Sequence, residues 1–94
     1  MIGGFSPKEV DQEIKDLATH NLAGINAKAG THFTSVTVDQ AWSQVVAGTN
    51  YFLWLTANDG TKSHARIFVP LPHTNAPAEV ADAGAGHEQP HHDH

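Results

Sequence analysis

Cysteine is absent from the 94 residues. The chain therefore has no disulfide staple, no thiolate nucleophile and no thiolate-based metal centre. Basic residues are scarce: five Lys and Arg stand against ten Asp and Glu, for a net charge of -5. Neutralising phosphates needs a basic surface, so nucleic acid is not an expected partner. Long apolar runs are missing too. No segment approaches the roughly 18 apolar residues of a membrane span. The opening "MIGGFSPKEV" lacks the charged-then-apolar pattern of a secretory signal. The expectation is a cytoplasmic protein without a membrane partner. Nucleophile elbow, phosphate loop and metalloprotease motif are likewise lacking. Neither catalytic residues nor a cofactor nor a resident metal is expected, and the chain is not read as an enzyme. What is present is 39% hydrophobic residues. That is enough for one domain, which at this size buries roughly 60–70% of the surface its unfolded chain exposes.

The helix signals come first. Ser6, Pro7 and Glu9 have the spacing of an N-cap, a first helical proline and a capping-box partner. Val10, Ile14, Leu17, Ala18 and Ile25 follow as an apolar stripe, with Asn21 on the same stripe and in need of a hydrogen-bond partner. Gly24 weakens this helix by about 1 kcal/mol relative to Ala, and Gly30 is placed to cap it. The pattern predicts one helix over about 6–28, after a flexible arm over 1–5 that contains Gly3 and Gly4.

From His32 the period changes to two. Strict alternation puts Val36, Val38, Trp42 and Val46 on one face and Thr37, Asp39, Ala41 and Val45 on the other. A second run alternates Tyr51, Leu53 and Leu55 against Phe52 and Trp54, and Asp59-Gly60 marks a hairpin after it. A third places Ala65, Ile67, Val69 and Leu71 opposite His64, Arg66 and Phe68. Strands are expected over about 32–46, 49–57 and 63–71, as an antiparallel meander covered on one face by the helix. The fold class is α+β. Together these elements make a single domain over 6–74. Residues 75–94, rich in Ala, Gly, Pro and His, read as a mostly disordered tail with a weakly specified edge strand around Glu79–Ala83.

One stretch resists that scheme. "QVVAG", Gln44 to Gly48, puts a valine pair where the chain must turn, although turns favour Gly, Asn, Asp, Ser and Pro. Between Asp39 and Asp59 there is no charged residue at all. A buried turn would have to pair every backbone polar group. An exposed apolar tip is a docking element instead.

"QVVAGTNYF" resembles the signature of the cystatins, inhibitors of papain-like cysteine proteases, and its context resembles the disulfide-free single-domain branch, the stefins. "MIGG" resembles the stefin arm with its functional glycine, "SPKEVDQEI" the start of the stefin helix, and Leu71-Pro72 the second hairpin loop. The likeness runs from residue 1 to about 73. It implies a long helix wrapped by an antiparallel sheet, and a wedge of arm and two loops that enters the protease cleft. Carried over by position, Ile2 and Gly3 would occupy the non-primed subsites and Gly4 would be the exit from the arm. Gln44, Val45, Val46, Ala47 and Gly48 would form the central tip. Leu71 and Pro72, together with His73, would lie on the primed side. The implied partners are papain-like enzymes of the cathepsin L, B, H or papain type. Inhibition would be reversible and non-covalent, because no peptide bond is offered to the catalytic thiol. The implied state is a monomer, and opening of the valine-rich hairpin would give a domain-swapped dimer as known in related stefins.

Two features depart from the family pattern. The arm is short, with Met1 and Ile2 before the first glycine, and "PAEVADAGAG" is poor material for the last stefin strand. The tail also carries His87, His91, His92 and His94 with Glu88 and Asp93, ligand types that suit zinc, copper or nickel. The alternative function is therefore a non-inhibitory module of the same fold that binds metal or a partner through this tail.

Overall fold

The structure, a computed structural model, describes residues 4–88. Among these residues the order of elements is β1 (Ser6–Lys8), α1 (Gln12–His20), α2 (Leu22–Ala29), β2 (Val36–Val46), β3 (Gly48–Ala57), β4 (Lys62–Val69) and β5 (Glu79–Ala85). The strands form one antiparallel sheet in sequence order, β1-β2-β3-β4-β5, and the helices lie across one face. Ile14, Ala18 and Ile25 pack there with Val38, Ala41, Leu53, Leu55, Ala65, Ile67, Val80 and Ala83.

The helix does not start at Ser6. Ser6–Lys8 instead pairs with Ala41–Ser43 as an edge strand, a place that tolerates Pro7. Asp11 is the N-cap: its Oδ1 accepts from the Ile14 N–H at 3.0 Å, and its Oδ2 accepts from Lys8 Nζ at 3.0 Å. Starting the helix there leaves Phe5 free to reach the sheet, where it is 3% exposed. The arm read over 1–5 is thus pinned at its last residue, and Met1, Ile2 and Gly3 lie outside the described residues. Asn21 bends the helix into its two segments. Its Nδ2 donates to the Leu17 carbonyl at 2.8 Å, and the Ile25 N–H still bonds the Asn21 carbonyl, so the ladder runs through the bend. Strand β2 starts four residues later than the alternation predicts. Asn26 bonds both the N–H and the carbonyl of Phe33, and Asn58 Oδ1 takes the Thr34 N–H, which ties this segment down as a loop. Strand β4 stops at Val69, where Pro70 has no N–H to donate.

The sheet holds two β-bulges, and the one in β2 corrects the predicted faces. Val38 pairs with Leu55 and Gln40 with Trp54, so Asp39 is an extra residue in β2. Val38 and Ala41 therefore both face the helices, and Trp42 turns to the other side. There it joins Phe5 and Phe52, with Trp54 against them, in edge-to-face contacts of 4.9–6.2 Å between ring centres. In β5 the same device recurs: Arg66 pairs with Asp82 and Ile67 with Val80, so Ala81 is extra and both Val80 and Ala83 point inward. Residues 79–85, read from composition as part of a mostly disordered tail with a weakly specified edge strand around Glu79–Ala83, are an ordered strand.

The chain after β5 closes over the aromatic face. His64 Nδ1 donates to the Gly86 carbonyl at 2.9 Å, and its ring stacks on Phe52. His87 stacks on Trp54 at 4.8 Å, donates to the Leu55 carbonyl at 3.0 Å and sits 3.3 Å from the Asp39 carboxylate at the bulge. Trp54 Nε1 donates to the Glu88 carbonyl at 2.6 Å. His87 and Glu88 are thus fixed to the sheet, while His91, His92, Asp93 and His94 lie outside the described residues.

Gly24 is required by packing. A Cβ there would stand 2.8 Å from Val80 Cγ2, across the contact between α2 and β5. Gly24→Val should lower the unfolding free energy in urea by about 2 kcal/mol. In a Val80→Ala background the same substitution should cost clearly less, and an equal cost in both would show that the two residues do not meet. Asp11 generates a second prediction. The Ile14 N–H, first, and then the Lys8 ammonium hold its carboxyl below the usual 3.8. A carboxyl depressed on folding contributes stability above its unfolded pKa and loses that contribution as pH falls through the folded one. Asp11→Asn keeps an acceptor for Ile14 but cannot titrate. Between about pH 5 and pH 2 the urea midpoint of the parent should therefore fall more steeply than that of the variant.

Candidate functional site

The β2–β3 hairpin turns on a single residue. Val46 pairs with Gly48, and Ala47 alone stands between them. Val45 is 82% exposed and Val46 48%, and both are among the exposed large hydrophobic side chains. Such a tip resists collapse onto the body because both strands stay paired up to it. Gly48 makes the tightness possible. Its φ is +118°, and a Cβ there would lie 2.6 Å from the Val69 carbonyl oxygen and 2.8 Å from the Phe68 ring.

Gly48 thus brings the second loop beside the first. Thr49 pairs with Val69, so the chain leaving β4 departs at the same end of the sheet as the hairpin tip. Leu71, 41% exposed, follows there between Pro70 and Pro72. Pro72, His73 and Thr74 form a 3-10 turn in which the Leu71 carbonyl accepts both the N–H and the hydroxyl of Thr74. Asn75 ends the turn at φ 55°. Two prolines and this closed turn fix the direction of Leu71 before any partner arrives.

The arm enters from the other side. Strand β1 runs antiparallel to β2 with Ser6 opposite Ser43, so the chain before Ser6 heads toward the tip. Gly4 is exposed at φ +83°, and a Cβ there would sit 2.8 Å from Gln44 Nε2. The residues expected at the site are therefore brought together at one end of the sheet: Gly4, Gln44 to Gly48, and Leu71 to His73. Ile2 and Gly3, expected in the same place, lie outside the described residues. Phe5 was not singled out from the sequence as part of the site. Its burial against Phe52 anchors the root of the arm, and the signal for it is an aromatic residue directly after a glycine pair.

The chemistry of this end is apolar and uncharged, and it projects rather than encloses. A groove of 380 Å³ does occur along the seam of α1 and the sheet, lined by Ile14, Leu17, Tyr51 and Val69 below Glu13, Asp16 and His20. It contains none of the site residues. Among the described residues no three His, Asp or Glu side chains converge as metal ligands, and no helix is long and apolar enough to cross a membrane.

A family model described as "Cystatin domain" matches residues 3–87. Cystatin-B of Macaca fuscata fuscata is 36% identical over 70 residues, covering 74% of this chain and 71% of that protein. Stefin-C of Bos taurus is 32% identical over 80 residues, covering 84% and 79%. Among solved structures, the one titled "Crystal structure of Al-CPI" superposes with a TM-score of 0.58 at 28% identity, over 89% of this chain and 100% of that one.

Gly48→Ala tests how the tip is held. The added methyl meets backbone oxygen and ring together in a left-handed conformation, so it should cost about 2–3 kcal/mol in urea unfolding. The amide resonances of Val45–Ala47 should move with it. A loss below about 0.5 kcal/mol, the range of an indifferent site, would show that the turn does not need glycine.

Proposed function

The chain belongs to the cystatin family, within its disulfide-free, stefin-like branch, and on that premise we propose that it is a reversible, non-covalent inhibitor of papain-like cysteine proteases. It acts as a tight-binding plug, not as an enzyme. The observation that carries this reading is the exposed Val45–Val46 tip, with Gly4 against one flank and the Leu71-Pro72 turn beside the other.

The physics of such a plug follows from the geometry. The tip is held by strand pairing up to Val46, so little conformational entropy is lost when it docks. Removing two exposed valines and Leu71 from water supplies the apolar part of the affinity. The absence of charge between Asp39 and Asp59 means that no ion needs desolvation at the centre of the interface. Ile2 and Gly3 extend the contact along the non-primed subsites, Gly4 leads the chain out of the cleft, and Pro72 with His73 covers the primed side. All three segments are needed to reach a standard interface of about 1,600 Å² in total. As the resemblance to the cystatins implies, no peptide bond is offered to the catalytic thiol, so release regenerates both partners intact. Of the tail residues that the metal-binding alternative uses, His87 is committed to the sheet, and His91, His92, Asp93 and His94 lie outside the described residues.

Titration of papain with a fluorogenic substrate tests the proposal. Reversible inhibition at well below micromolar protein is expected, and none at micromolar protein would overturn it. Val46→Asp should raise the inhibition constant by about 100-fold or more, because it buries an unpaired charge in the complex. Its thermal midpoint should stay near that of the parent, since Val46 is exposed in the free protein. Undiminished inhibition by that variant would show that the tip is not the plug.

A further inference from the structure

We propose that Asn50 is a positioning residue that sets the direction of the N-terminal arm through Gln44, an inference that rests on the inhibitor reading above. Gln44 and Asn50 are directly opposed in the β2–β3 ladder. Asn50 Nδ2 donates to Gln44 Oε1 at 3.1 Å in a partly buried position. A carboxamide whose oxygen is held on one side presents its nitrogen on the other. That nitrogen, Gln44 Nε2, lies where a Cβ on Gly4 would come within 2.8 Å of it, so the arm backbone at Gly4 passes against it.

The arm needs such a guide. Phe5 is buried on Phe52, and the residue before it is a glycine at φ +83° with no side chain of its own to hold it. The amide of Gln44 is the polar surface that Gly4 meets there. Asn50 also pairs with Phe68 on its other side, whose ring packs over Gly48. One side chain at the base of the hairpin is therefore next to the supports of the arm, the tip and the second loop. Asn50 is half-buried and four residues along the chain from Val46, behind the projecting tip. Its effect is exerted through Gln44, without contact to a protease.

Asn50→Asp keeps the side chain's shape and volume but replaces its donor with an acceptor and adds one negative charge. It is therefore paired with Asn50→Leu, which removes the donor without adding charge and should show a loss in the same direction. Aspartate only accepts, so Gln44 must turn its Nε2 toward residue 50 and present Oε1 to the arm. The Asp variant should inhibit papain about tenfold less tightly, chiefly through faster dissociation, as expected for one misdirected polar contact. Gly4→Ala should weaken inhibition as well. The double variant should be no weaker than the poorer single variant, because both act on the same Gly4–Gln44 contact. A merely structural role for Asn50 would make the two effects multiply, and that result would overturn the inference. Unchanged inhibition by Asn50→Asp would overturn it too. The free protein gives a second measurement that does not depend on a protease. The heteronuclear NOE at Gly4 should fall in Asn50→Asp while that of Thr56 is unchanged, and an unchanged Gly4 would count against the guide. Failure of the parent to inhibit, with the Gly4 response intact, would strike the inhibitor reading and leave the guide standing.

Discussion

The pairing of β2 with β3, unbroken in direction from Val36 opposite Ala57 to Val46 opposite Gly48, is the constraint on which the rest of the molecule depends. It supplies one wall of the core beneath the helices and the aromatic layer on the other face. It then continues past both cores and carries two valines into solvent. A turn that closes on one residue leaves no slack for those valines to fold back. The apolar tip is exposed because the ladder that holds it is paired to its last residue, and Gly48 is the only residue type that lets the neighbouring strand approach it this closely.

Burial on two faces explains how so small a chain keeps an exposed apolar tip without loss of order. The aliphatic core sits under the helices, and a second cluster of Phe5, Trp42 and Phe52 covers the opposite face with Trp54. The chain after β5 closes that face through the rings of His64 and His87. Phe5 joins the second cluster directly to the root of the arm, so packing of the outer face and placement of Gly4 are one structural fact.

Much of this was legible in the sequence, and the failures share a cause. The helix stripe of Ile14, Ala18 and Ile25, the three central strands and the hairpin apex at Gln44–Gly48 follow from periodicity and motif alone. Strict alternation failed at Asp39, where a bulge places Val38 and Ala41 on the same face and sends Trp42 to the other. A second bulge, at Ala81, puts Val80 and Ala83 inward at a spacing of three that no flat strand shows, which is why composition left this segment as a mostly disordered tail with only a weakly specified edge strand. A bulge is a property of the pair of strands, so a single segment carries no local mark of it. The capping signal at Ser6 was overruled by long-range burial: Phe5 gains more on the sheet than Ser6 gains at a helix end. At the site, the residue types were readable, but the contact of Gly4 with Gln44 required the register of β1 on β2.

The central claim is that one end of the sheet docks as a preformed, non-covalent wedge. Amide chemical-shift mapping of the labelled protein against papain whose catalytic thiol has been blocked tests it most directly. The account predicts binding despite the blocked thiol, with perturbations concentrated at Gly4, Gln44–Gly48 and Leu71–His73 and little change along α2 and β5. Perturbations centred on the helices, or binding that vanishes once the thiol is blocked by a small group, would contradict it.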